Sequence, residues 1–283
     1  MRRSNSGLCV LFAAALSVHA AGPVDFAMSE LDAAIASRNL KYKPRIVTEI
    51  NLDAPETFRI EPYTTGGGRI AGGDLRGLMY GLLEAAEQMR ATGRLKQTHG
   101  MPSLTPRGVK VAADPAATWF GSEAFWNGFM ASLARDRFNR LQLAFERSPD
   151  KDLLPSLRMI SQISLRYSVD LALGIKSVSE DFGPILQDLL AQCPAIRSVS
   201  LAADAGAAKT TVMAVLRKAG RRVVLDDSRL WQIDPVQNGH GEENVRAMLA
   251  TFTAGFEVVL PQGGDGKPDR RSISLWGRLA YKP

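Results

Sequence analysis

The sequence predicts an α/β protein: a small α+β domain, then a longer domain of alternating strands and helices on a parallel sheet. Two observations carry this. The block Thr57–Met89 reads as a strand, a Gly-rich hairpin turn at Gly66, Gly67 and Gly68, a short second strand, and an amphipathic helix that opens at Asp74. Beyond Pro106, apolar strand patterns recur at roughly 25 to 35 residues with helical patterns between them, the spacing of βα units. The stretch between, with Gly100, Pro102 and Pro106, marks the join.

In chain order, residues 1–21 read as a signal peptide. Arg2 and Arg3 form its positive start, Leu8–Val18 its apolar run, and Val18-His19-Ala20 the small residues before cleavage. The run is too short to cross a bilayer. The expectation is an exported, periplasmic or secreted, protein with no membrane anchor after cleavage. Residues 22–98 form the α+β domain. It has a helix over Ser29–Asn39 capped by Ser29, a strand at Arg45–Ile50, the hairpin strands Thr57–Pro62 and Arg69–Ala71, and a helix at Asp74–Arg90 closed by Gly93. Residues 99–106 read as a linker and 107–283 as the βα domain. Its strands are placed at Arg107–Ala112, Leu141–Phe145, Asp170–Ile175, Arg197–Leu201, Arg222–Leu225 and Phe256–Leu260, with a seventh at Ser272–Gly277. Such a series closes as a barrel or opens as a doubly wound sheet. An eight-unit barrel takes about 250 residues, so residues 107–283 suffice only for an incomplete one of six to seven strands.

Composition narrows the function. With 45% hydrophobic and 23% charged residues the chain is an ordinary globular protein. Its net charge is +6, but the basic residues are dispersed and aromatics make up only 7%. That disfavours nucleic acid, which wants a clustered basic face and stacking rings. A mildly basic surface suits an acidic substrate such as a uronic-acid sugar. The mature chain has two histidines, His99 and His240, and one cysteine, Cys193. No zinc-ligand spacing appears, no cofactor motif is present, and no intrachain disulfide can form. Cys193 reads as a small buried hydrophobe.

Three blocks carry a resemblance: TFRIEPYTTGGGRIAGGDLRGLMYGLLEAAEQM (Thr57–Met89) followed by TPRGVKVAA, then SLARDRFNRLQLAF (Ser132–Phe145), and WGRLAYKP (Trp276–Pro283). Their order resembles the α+β domain and (β/α) barrel of α-glucuronidase-like glycoside hydrolases. The first block is also similar to the N-terminal domain of β-hexosaminidases. The resemblance implies a barrel rather than an open sheet. It implies action on plant polysaccharide, with glucuronic-acid-substituted xylan fragments as substrate.

A barrel enzyme works at the C-terminal ends of its strands, and glycoside hydrolysis takes two carboxylates. The strand ends supply Asp114, Glu146, Arg147, Lys176, Asp204, Asp226, Asp227, Gln262 and Asp265. Asp234, Asp204 and Glu146 are the candidate catalytic carboxylates. Asp234, in WQIDPVQNG, falls in the region similar to the one holding the family's base. Arg147, Lys176 and His240 are candidate substrate-binding residues, and Trp119 a sugar-stacking platform. The chain departs from the family where the acid is expected: in Leu201–Ala208 the family's glutamate aligns with Ala205, with Asp204 beside it. After strand six, Leu260-Pro261-Gln262 stands where a second carboxylate is expected. Two other readings follow from these departures and the short length. One is a catalytically inactive carbohydrate-binding barrel. The other is an unrelated α/β scaffold, for which an open doubly wound sheet would speak.

Overall fold

A computed structural model of the chain describes residues 22–41, 43–51, 54–202, 206–219, 224–225, 230–234, 242–263, 266–269 and 273–282. The first unit contains α1 (Pro23–Ala36), β1 (Arg45–Ile50), β2 (Phe58–Pro62), β3 (Gly67–Gly72), α2 (Leu75–Thr92) and β4 (Thr98–Pro102). Its helix α2 forms where its sequence signals place it. Asp74 Oδ1 accepts the Gly77 N–H at 2.6 Å as N-cap, and Gly93 closes the helix at φ 71°. Leu78, Met79, Leu82, Leu83, Ala86 and Met89 are buried on its inner side. The β2–β3 hairpin turns through Gly66 and Gly67 at φ 91° and 82°. A Cβ on Gly67 would lie 2.1 Å from the Arg45 carbonyl, because β1 pairs with β3 in parallel at that point. Helix α1 begins at Pro23, not at Ser29. Pro suits a first helical turn, and the Asp25 carboxylate accepts the Gly22 N–H at 2.8 Å. Ser29 lies inside the helix and donates to the Phe26 carbonyl.

The expected linker is partly strand. β4 pairs antiparallel with β2, and β12 (Tyr281–Lys282) returns to pair with β4, giving the order β1-β3-β2-β4-β12. Residues 281–282 thus join the sheet of the first unit.

The second unit alternates β5 (Arg107–Ala112), α3 (Glu123–Arg135), β6 (Arg140–Arg147), α4 (Leu154–Arg166), β7 (Asp170–Ser177), α5 (Phe182–Gln192), β8 (Ile196–Leu201), α6 (Gly206–Lys218), β9 (Val224–Leu225), β10 (Trp231–Ile233), α7 (Glu242–Thr251), β11 (Phe256–Val259) and α8 (Ser274–Leu279). The strands pair in parallel in the order β10-β11-β5-β6-β7-β8-β9. β11 thus lies beside β5, bringing the end of the series back to its start. The edge strands β9 and β10 are consecutive in the chain, joined only by residues 226–230. That link reaches roughly 20 Å, whereas a flat seven-strand sheet would set its edges about 29 Å apart. The sheet is curled into an incomplete barrel that opens between β9 and β10. An open doubly wound sheet is excluded by the same pairing.

Residues 274–279 form α8 where a seventh strand was expected. Ile273, Trp276 and Ala280 are buried at helical spacing, and Trp276 packs on Phe256 with ring centres 6.3 Å apart. The seventh strand is β10, too short to show a period of two.

The α+β unit docks on the end of the barrel where the strands begin, through a buried charge network. Arg107, fully buried at the start of β5, pairs its Nη2 with Glu56 Oε2 at 2.6 Å. Its Nε donates to the Arg137 carbonyl and its Nη1 to the Leu104 carbonyl. Glu56 Oε1 accepts from Arg76 Nη1 and Asn139 Nδ2, both at 2.8 Å. Arg76 reaches on to Asp170 at the start of β7. The Tyr281 hydroxyl donates to the Glu56 carbonyl, and the Arg107 guanidinium lies over the Tyr80 and Tyr281 rings. Burial alone pushes the Glu56 carboxyl up. Arg107, Arg76 and the bond from Asn139 outweigh it and hold the group below its ordinary value.

Candidate functional site

The opposite end of the barrel holds a cleft of about 670 Å³. Its shape follows from the alternation of side chains along the strands. Val109, Val111, Leu141, Leu143, Leu171 and Leu173 are buried on the helix side, and Phe145 and Ile175, also buried, contribute to the cleft lining together with Leu201 and Leu230. The positions between them face inward and are polar or small: Lys110 and Ala112, Gln142 and Ala144, Gly174 and Lys176, Ser200 and Ala202. A typical barrel fills its interior with layers of bulky branched side chains. This one does not, and the space remains open.

The floor is a fixed polar network centred on Glu257 of β11, which is 1% exposed. Arg140 Nε donates to Glu257 Oε1 and Gln232 Nε2 to Oε2, both at 2.9 Å. The Gln142 amide satisfies its partners when its nitrogen faces the Glu257 oxygens at 2.9 Å and its oxygen accepts from Ser200 Oγ at 3.2 Å. Gly174 makes room for this: a Cβ there would stand 2.4 Å from the terminal amide atom of Gln142. At the mouth, Lys176 Nζ pairs with Glu146 Oε2 at 2.8 Å; the two side chains are 70% and 82% exposed. The hydrogen bond to Glu146 and its negative charge raise the Lys176 ammonium above its ordinary value.

The expected site residues are distributed unevenly. Glu146 and Lys176 line the cleft. Arg147 is on the other side of the strand and lines a separate groove of about 280 Å³ with Ser148, Asp150, Ser179 and Asp181. Asp234 follows β10, two positions beyond Gln232, and is half-buried. Asp204 and His240 lie outside the described residues, as do Ala205, Asp226, Asp227 and Asp265. Asp114 accepts the Ala116 N–H within a turn.

Trp119 is corrected. It is 3% exposed and packed among Phe120, Phe125 and Trp126, so it offers no open ring face to a sugar. The aromatic residues at 119 and 120, just before α3, and at 125 and 126, in its first turn, pack on one another rather than facing solvent.

The sequence reading passed over Lys110, Gln142, Ser200, Gln232 and Glu257, which form the inner wall. Their signal was present in the strand Arg140-Leu-Gln-Leu-Ala-Phe-Glu146. A strand buried on both faces reads as near-continuous apolar residues, whereas this one alternates.

Cys193 is buried, and burial pushes its thiol up to about 11. Among the described residues, no group of His, Cys, Asp and Glu could hold a metal ion, and no helix is long and apolar enough to cross a membrane.

No protein-family model matches the chain, and no curated protein matches it. Solved structures do. A GH138 enzyme targeting pectin rhamnogalacturonan II superposes at TM-score 0.64 with 12% identity, over 91% of this chain and 62% of that one. The fold is that of glycoside-hydrolase domains. CpGH84B superposes at 0.52 with 11% identity over 93% and 66% of the two chains, and CpGH84D at 0.51 with 10% identity over 90% and 53%. The chain spans about three-fifths of the GH138 enzyme's length.

Proposed function

We propose that this chain is an exported, glycoside-hydrolase-like protein that takes plant carbohydrate into the cleft at the strand C-termini, with glucuronic-acid-substituted xylan fragments as its class of ligand. The observation that carries this is the inner wall. Amides, a hydroxyl and ammonium groups line, together with Phe145, Ile175, Leu201 and Leu230, an open cavity that barrel packing would fill with bulky apolar side chains. Sugars are recognised by such groups through their hydroxyls. The neighbours' fold and the GH138 enzyme's polysaccharide target support the same reading.

Hydrolysis requires one protonated and one ionised carboxyl flanking the bond. Asp234 is the candidate base and Asp204 or Glu146 the candidate acid. In that reading Asp234→Asn abolishes release of glucuronic acid from substituted xylo-oligosaccharides, measured by chromatography, while the circular dichroism spectrum is unchanged. Wild-type turnover that survives replacement of Asp234, Asp204 and Glu146 together places the chemistry elsewhere.

A second reading, sugar binding without turnover, has its own observation. The two described carboxylates lining the cleft are both engaged by cations: Glu257 by Arg140 and Glu146 by Lys176. A general acid instead wants an apolar or acidic neighbourhood. Calorimetry that shows oligosaccharide binding, with no product after prolonged incubation, selects this second reading.

A further inference from the structure

We propose that Lys110 is the anion-recognising residue of the cleft, receiving the carboxylate or sulfate of an acidic sugar at the inner wall. The assignment rests on the carbohydrate reading above and goes further by naming the group that selects charge.

Lys110 lies on the inward side of β5. Its lateral neighbours in register are Gln142 on β6 and Val259 on β11. Neither carries a charge. The inward position above it on β5 is Ala112, so the wall is low on that side, while Gly108 below it is covered by the Glu257 side chain, whose oxygens Arg140 and Gln232 hold. The side chain is half-buried and lines the cavity.

Among the described residues, the two carboxylates that line the cleft are spoken for. Glu257 has Arg140 on one oxygen and Gln232 on the other, with the Gln142 amide within 2.9 Å of both. Glu146 holds Lys176 at the mouth. Among the described residues, the Lys110 ammonium has neither a hydrogen-bond nor an ion-pair partner. A partly desolvated cation without a counter-charge is unfavourable, and a ligand anion supplies that charge.

The charge count of the lining agrees. Lys110, Lys176 and Lys209 face Glu146 and Glu257, and Arg140 already balances Glu257. Among the described residues the lining thus carries more cations than carboxylates, which draws anions. Lys209 is exposed on α6 at the rim, where water screens it, so the selective contact falls to the deeper Lys110. A lysine suits either anion, since it acts as a point charge and needs no planar bidentate partner.

Titration calorimetry of the full chain tests this with three probes: a glucuronic-acid-substituted xylo-oligosaccharide, its carboxyl-reduced counterpart, and a sulfated xylo-oligosaccharide. The expected result is that one anionic probe binds about tenfold or more tighter than the neutral one, as a charge-assisted bond allows. Which anion it is names the source of the charge. Lys110→Met should bring that ratio close to one, and Lys110→Arg should keep part of it. The wild-type ratio should also shrink as salt is raised, a readout that needs no variant to fold. A ratio that persists in folded Lys110→Met, or a wild type that binds neutral sugar with no anionic preference, overturns the assignment alone. Absence of binding to all three probes overturns the carbohydrate reading and the assignment with it.

Discussion

The two ends of the barrel are built from the same strands and treat charge in opposite ways. Where the strands begin, Glu56, Arg76, Arg107 and Asn139 form a closed network beneath the α+β unit, and every charge has a partner. Where they finish, the inward positions of β5, β6 and β7 end in exposed residues, Ala112, Glu146 and Lys176. On β6 the inward positions run from half-buried Arg140 and buried Gln142 to exposed Glu146. Among the described residues lining the cleft there, cations outnumber the carboxylates they could pair with. The closed end also stores backbone strain: Glu56, Arg137 and Ser168 sit at φ 62°, 66° and 54°. Non-glycine residues held there cost on the order of 1 kcal/mol each, and the surrounding bonds impose the conformation. The contrast teaches that one end fixes the two units together and the other is left open, the division expected of barrels.

The largest effect should come from breaking the closed end. Arg107→Met leaves Glu56 buried with one guanidinium fewer, removes the side-chain donor of the Leu104 carbonyl, and leaves the Arg137 carbonyl with only the longer bond from the Tyr80 hydroxyl. Removing one partner of a buried pair costs about 3–5 kcal/mol. The urea midpoint should fall accordingly. A midpoint within error of wild type would show that the network is not what joins the units.

Acid should act on the same end. The Glu56 carboxyl is held below its ordinary value, so the stability it contributes is fully present above that value. It is lost as pH falls through the lower value of the folded state. Glu30, which ties α1 to Arg90 and Arg135, works in the same direction: burial raises its carboxyl and the two arginines bring it below its ordinary value. The wild-type thermal midpoint should therefore drop on acidification below about pH 4.5. Glu56→Gln should be less stable near neutrality and show a shallower drop. An equal slope in wild type and variant would remove Glu56 as a cause.

How much of this was legible in the sequence differs between the ends as well. The capped helix α2, the Gly66–Gly67 turn and six of the barrel strands announce themselves through local signals: an Asp cap, a positive-φ glycine, apolar runs at βα spacing. The network of Glu56 did not, because its members come from positions 56, 76, 107 and 139, and only the docking of two units brings them together. Residues 272–277 were misread as a strand because a short apolar run fits either period. Trp276 and Ala280 find helical partners only once the barrel is present. At the open end, reading only the residues after each strand found Glu146 and Lys176 and missed the wall. The inward residues Lys110, Gln142 and Glu257 lie inside strands, where apolar neighbours drew attention to the other face.

A smaller effect on stability, but a decisive one on binding, is expected at Gly174. A methyl group there would stand 2.4 Å from the Gln142 amide and 3.3 Å from Ser200 Oγ. The Gln142 side chain must move, since its backbone is fixed by pairing with β5 and β7. It then loses Glu257 or Ser200. Gly174→Ala should cost about 1–3 kcal/mol, the range for overpacking, and weaken sugar binding by more than its stability cost implies. Unaltered binding in the folded variant would show that the ordered floor is not part of the ligand site.

The smallest effect should be at the mouth. Glu146→Gln removes an ion pair in which both side chains are mostly exposed, and surface pairs of this kind contribute little to stability. The urea midpoint should not move. The consequence lies in the ligand: loss of Glu146 releases Lys176 and makes the cleft more positive, so affinity for an acidic oligosaccharide should rise and its salt dependence steepen. If Glu146 is instead the proton donor for glycosidic cleavage, the same variant loses turnover by about 10²–10⁴ while binding is kept. The two readings thus predict different results from one protein. Tighter binding with turnover unchanged or absent assigns Glu146 to charge balance at the mouth. Lost turnover with affinity unchanged assigns it to catalysis.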